Sequence, residues 1–137
     1  MPNGVVKTWP RILLRIEGAC IFGATIWAYS RLGRSWWTFA AAFLVPDVGM
    51  AGYLANTSIG AAFYNAFHTE TPPIVLLCAG SAQDNDTVVG LALVWLAHIG
   101  MDRMLGFGLK YGSGFGHTHL GDLRASGARD GKASSSQ

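Results

Sequence analysis

The stretch TVVGLALVWLAHIGMDRMLGF, residues 87–107, decides how this chain is read. It carries no formal charge before Asp102 and ends in a glycine-rich run beginning at Gly106. A bilayer core takes about 20 apolar residues as a helix, with a range of about 17–25. A backbone placed in lipid must also satisfy its own hydrogen bonds, which makes such a segment helical. Within it, His98 and Asp102 stand four residues apart and share one helix face with Trp95.

Working outward, three earlier segments fit the same range: Ile12 to Tyr29, Trp36 to Ala55, and Ser58 to Ala82. The connections are short. Arg31 to Arg34 contains Gly33 as a helix stop. Asn56 to Ser58 can cap the helix that follows, and Gln83 to Thr87 ends in the N-cap candidates Asp86 and Thr87. Short connections make neighbours antiparallel. The predicted fold is therefore all-α: a multi-pass transmembrane bundle of about four helices, with the third broken at Pro72-Pro73. Residues 1–124 form the membrane domain, including the glycine-rich loop after the last helix. Residues 125–137, rich in Gly, Ser, Ala and charge, read as a disordered polar tail.

Composition agrees. Half of the 137 residues are hydrophobic and 13% are charged, against about 25% charged in an ordinary soluble domain. A net charge of +2, with no basic run interleaved with aromatics, sets nucleic acid aside as a partner. The bilayer itself is the expected partner. Gly49, Gly52, Gly60 and Gly100 would allow close packing, either with a second copy or in a larger membrane complex. Cys20 and Cys78 sit in apolar segments without pair spacing and read as fillers. Arg15 and Glu17 interrupt the first apolar stretch, so it reads as a retained helix rather than a cleaved signal. Lys7 and Arg11 before it, and four basic residues after the fourth helix, put both termini in the cytoplasm; Arg31 and Arg34 oppose this.

Ionisable groups at mid-bilayer cost about 3 kcal/mol each and usually face the bundle interior for a reason. Asp47 follows Pro46 near the middle of the second segment. His68 and Glu70 lie near the middle of the third, and His98 and Asp102 in the fourth. Antiparallel packing brings Asp47, His68, Glu70, His98 and Asp102 to similar depth on three segments. His119, in the loop after the fourth helix, can close the same site. Glu17 needs a partner, for which Arg103 is the first candidate.

Several strings resemble a known family: Trp36-Trp37 with Pro46-Asp47, residues 64–69 (YNAFHT), residues 95–111 (WLAHIGMDRMLGFGLKY), and residues 118–121 (THLG). From about Arg11 to Gly121 the chain resembles the domain-of-unknown-function family 4260 of small bacterial integral membrane proteins. That resemblance implies a multi-pass protein of the bacterial inner membrane and no particular activity. A fainter likeness, to membrane-bound metal-dependent hydrolases, serves as analogy only.

Three functions are compatible with this pattern. One is a metal-dependent membrane hydrolase with His68, His98, Asp102 and His119 as ligands to a divalent metal and Asp47 or Glu70 as general base. The second is a protein that moves protons or a solute, or holds a haem between His68 and His98. The third is a structural accessory subunit in which the polar cluster fixes helix register.

Overall fold

The computed structural model describes residues 8–108, 117–118 and 121–122. In order, these form α1 (Thr8–Arg31), α2 (Trp36–Phe43), a 3₁₀ helix (Val45–Leu54), α3 (Thr57–His68), α4 (Thr71–Ala82) and α5 (Asp86–Leu105). Two-residue strands β1 (His117–Thr118) and β2 (Gly121–Asp122) pair antiparallel after them. All four predicted apolar segments are helical. The second is α2 continued by the 3₁₀ helix, and the third is α3 followed by α4. Thr8–Arg31, Trp36–Leu54 and Asp86–Leu105 are each long and apolar enough to cross a membrane. A 12-residue helix such as α3 or α4 is only about 18 Å long, so only the two together have the length of a crossing.

Both interruptions trace to proline. Pro46 has no N–H to give to the preceding turn, and the chain tightens from α-helix into 3₁₀ there. In the third segment the break falls at Thr69, which is extended, just ahead of the two prolines. Pro72 and Pro73 then occupy the first turn of α4, where a missing N–H costs nothing. Asn56 caps α3 by accepting from the Ile59 N–H at 2.8 Å. Asn85, one residue before the expected cap, accepts from Val88 N–H at 3.2 Å to start α5. Gly106, with φ +92°, ends α5, and the Phe107 N–H closes back on the Asp102 carbonyl at 2.7 Å.

Helix α5 is the centre of the molecule, with Ala92 to Val94 and Leu96 to Gly100 all buried. It meets α1 backbone to backbone. A Cβ on Gly18 would lie 2.6 Å from Arg103 Cβ, and one on Gly100 would lie 2.7 Å from the Phe22 nitrogen. Tyr29, further along α1, packs on Leu93 and Val94, so the two helices run antiparallel. Arg15 Nε donates to the Met104 carbonyl at 2.9 Å, tying the start of α1 to the end of α5. At the other end of α5, Gly80 of α4 lies against Val88, and Arg34 against Gly90. The 3₁₀ helix and α3 form a second antiparallel pair: Gly49 faces Phe63 and Phe67, Gly52 faces Gly60, and the Tyr53 ring lies over Gly60. The expected Glu17–Arg103 pair does not form. Glu17 is on the exposed side of α1, and no ion pair reaches it among the described residues, because Gly18 rather than Glu17 points at Arg103.

Candidate metal centre

Four side chains from three elements meet where the 3₁₀ helix, the end of α3 and the second half of α5 converge. His68 Nε2 and His98 Nε2 face each other at 3.2 Å. Asp47 Oδ1 lies 3.6 Å from His68 Nε2 and 3.4 Å from His98 Nε2. Asp102 Oδ2 lies 3.3 Å and 3.5 Å from the same two atoms. The donor atoms of Asp47, His68 and His98 are mutually within 4.8 Å. Both imidazoles are 3% exposed, Asp102 is 15% exposed, and Asp47, at 43%, is the open side of the cluster.

Each position follows from local structure. Asp47 is held in the first turn of the 3₁₀ helix by Pro46. His68 is the last residue of α3, and its Nδ1 donates to the Tyr64 carbonyl at 2.9 Å. Its ring also stacks on Tyr64, with centroids 3.8 Å apart at 10°. The Tyr64 hydroxyl hydrogen-bonds to Asp102, so one tyrosine fixes two members of the cluster. Helix α3 stops before Pro72, which leaves its last carbonyls without helical donors. Trp95 Nε1 supplies one, donating to the Phe67 carbonyl at 2.7 Å. His98 meets the Phe43 ring edge-on at 5.1 Å, at the end of an aromatic row that runs from Tyr29 through Phe39.

With Nδ1 donating to Tyr64, a neutral His68 presents a bare Nε2 to the cluster. Two carboxylates add acceptors only. His98 can offer at most one proton on Nε2 while neutral, and its Nδ1 is buried without a hydrogen bond, beside the Phe43 backbone. Four acceptor-rich atoms with at most one proton among neutral imidazoles can be satisfied by a bound cation or by a further proton on a histidine. Donors 2.0–2.1 Å from a tetrahedral zinc-like ion stand about 3.3–3.4 Å apart. The five contacts made by the two imidazoles run from 3.2 to 3.6 Å, and the group whose donor atoms all lie within 4.8 Å of one another is Asp47, His68 and His98, without Asp102. The donor set, two imidazoles and two carboxylates, suits Zn, Mn or Fe.

The sequence-predicted residues divide accordingly. Asp47, His68, His98 and Asp102 are brought together. Glu70 is not among them: it is the N-cap residue of α4, makes no side-chain cap bond, and pairs with none of the four. His119 lies outside the described residues. Tyr64 and Phe43 were missed by sequence reasoning, although Tyr64 stands one helical turn before His68 and that spacing could have revealed it. The two rings face each other too closely to admit a porphyrin between them, which removes the haem reading for this pair.

The model of a domain of unknown function (DUF4260) matches residues 11–123, and the chain belongs to that family. No curated protein and no solved structure matches it.

Proposed function

We propose that this member of the DUF4260 family is a multi-pass membrane protein that holds one divalent metal ion between its helices and uses it for hydrolysis of a lipophilic substrate. The observation that carries the reading is that two imidazole nitrogens face each other at 3.2 Å, with a carboxylate oxygen of Asp47 and one of Asp102 each 3.3–3.6 Å from both, and the far side of His68 already turned to a carbonyl. That tautomer is the one a metal-bound histidine takes. Two carboxylates and two neutral imidazoles carry charge −2, which a divalent ion cancels, and that matters most in a low-dielectric setting.

His68, His98 and Asp102 are the fixed ligands. The first is held by Tyr64 and the end of α3, and the other two stand one turn apart on α5. Asp47 is the exchangeable group, because it is the most exposed of the four and sits on the 3₁₀ helix. It would help to hold the ion and is the group placed to take up a proton. A bound divalent ion supplies Lewis acidity and lowers the pKa of a bound water. Glu70 is a second, outer proton acceptor at the α3–α4 junction. The location is the bacterial inner membrane, with both termini in the cytoplasm.

The test is the metal content of protein purified in mild detergent and reloaded with Zn, Mn or Fe. The expected result is about one ion per chain, lost in His68→Ala and His98→Ala and retained more weakly in Asp47→Ala. No ion above background in the reloaded parent protein overturns the reading. In that case the 3.2 Å Nε2–Nε2 contact is a shared-proton hydrogen bond, and the site is one for proton transfer.

A further inference from the structure

The clustered side chains lie at the mid-depth of the spanning helices. Trp9 and Trp27, both exposed, stand towards the two ends of α1, and tryptophan collects at the two faces of a bilayer. From residue 9 to residue 27 the helix rises about 27 Å, close to the thickness of a bilayer core, about 30 Å. Gly18 is midway between them, and its carbonyl oxygen lies 2.9 Å from where a Cβ on Gly100 would be. Gly100 is therefore at the middle of the crossing made by α5. His98 and Asp102 flank it, each about 3 Å away along the helix axis.

The open side of the cluster is Asp47, 43% exposed where the two imidazoles are 3%. Leu44, Val45 and Val48 around it are exposed too. Asp47 is the only charged side chain from Trp36 to Asn56. In a segment long and apolar enough to cross a membrane, a mid-depth rim of leucine and valine meets hydrocarbon and not water.

We infer that the substrate enters sideways from the bilayer core, past Asp47, and is an uncharged ester joining a fatty acid to a long-chain alcohol. This rests on the metal-centre reading and names the substrate class for it. Depth selects that class. The esters of a phospholipid stay near the headgroups, about 15 Å from the midplane, and drawing them inward would pull a charged group into hydrocarbon. An ester without a headgroup brings its bond to mid-depth with both chains still in lipid. Charge selects it as well. Two carboxylates and a divalent ion sum to zero, and residues 44–48 hold no basic side chain to attract an anionic headgroup. Hydrolysis breaks the bond between the acyl carbon and the alcohol oxygen. The oxygen of water joins the acyl carbon, and one proton of that water passes by way of Asp47 to the departing alcohol oxygen.

The experiment uses the full chain in lipid nanodiscs, with Cys20 and Cys78 replaced by serine and metal content read on every sample. Val48→Cys, or Leu44→Cys if that variant fails to fold, carries a nitroxide spin label beside Asp47 without altering a ligand. Leu13→Cys on the exposed face of α1 and Ser58→Cys at the start of α3 are the lipid and water references. The label at Val48 is expected to collide with dissolved oxygen as it does at Leu13, and with a water-soluble nickel chelate about tenfold less than at Ser58. In a second arm, the same diazirine-bearing acyl chain is supplied either as an ester of a long-chain alcohol or in phosphatidylcholine. Photolabelling of residues 44–48 is expected to be about tenfold greater from the simple ester, with no such preference at Leu13. Full nickel access at Val48 in protein that holds its metal overturns lateral entry and leaves the metal centre standing. Equal labelling by the two lipids overturns the substrate class. A dry, ester-labelled rim in protein that cannot be loaded with metal overturns the metal centre, and the hydrolysis with it.

Discussion

Trp95 Nε1 reaches across from α5 to the Phe67 carbonyl at 2.7 Å, one residue before His68. The bond joins the helix that carries His98 and Asp102 to the last turn of the helix that carries His68. Trp95→Phe keeps an aromatic ring, gives up part of its volume and removes the donor, leaving a carbonyl that α3 cannot satisfy itself. The expected outcome is a loss of stability of about 1–3 kcal/mol, read by denaturation in detergent, together with a metal affinity about tenfold weaker, read by competition with a chromogenic chelator. Unchanged affinity in a folded variant separates the indole from the site.

Tyr64 combines two roles that substitution can divide. Tyr64→Phe retains the ring under His68 and loses the hydroxyl on Asp102. Metal affinity is expected to fall about 10-fold, at the lower end of the effect of outer-sphere partners. Tyr64→Ala loses the stack as well and weakens binding further. If the two variants bind metal equally, the stack contributes nothing.

Gly100→Ala places a methyl group 2.7 Å from the Phe22 nitrogen, where backbone must give way. Overpacking of this kind costs about 1–3 kcal/mol, and α1 is expected to separate from α5 at a lower temperature, seen as a reduced thermal midpoint in detergent. Gly23→Ala, where a Cβ meets nothing within 4 Å, is the control and leaves the midpoint unchanged.

Glu70→Gln tests the outer acceptor. With no pairing to the four clustered groups, the change leaves metal affinity within about twofold, while Asp102→Asn weakens it by at least tenfold. A large loss of affinity in Glu70→Gln would place that carboxylate in the metal shell and not outside it.

Much of this was legible in the sequence because hydrophobic length and helical spacing are local properties. Four apolar runs gave four helical segments, and Pro46 and Pro72-Pro73 marked the two that are interrupted. His98 and Asp102 share a face by spacing alone. The failures have a common cause: they depend on where a helix stops or which way it is turned. His68 and Glu70 were grouped by depth, yet α3 ends at His68 and Thr69 is extended, so two residues suffice to take Glu70 away. Glu17 was assigned to Arg103 because both are charged. The crossing of α1 on α5 is set by Gly18, one residue on, and that rotates Glu17 to the outside. The ten-residue 3₁₀ helix is longer than such helices usually run and rests on glycine contacts with α3 that no local pattern announces.

The four donors belong to two separately packed units. Asp47 and His68 come from the pair made by the 3₁₀ helix and α3, whereas His98 and Asp102 come from α5, against which α1 and α4 are laid. Only the extended Thr69 and the following Glu70 connect α3 to α4. An ion at the junction is thus a rivet through two plates, and its binding energy is also the energy that keeps them aligned. Stripping it with a chelator would loosen residues 45–68 as one piece while 86–105 kept their amide protection, a division that hydrogen exchange would register directly.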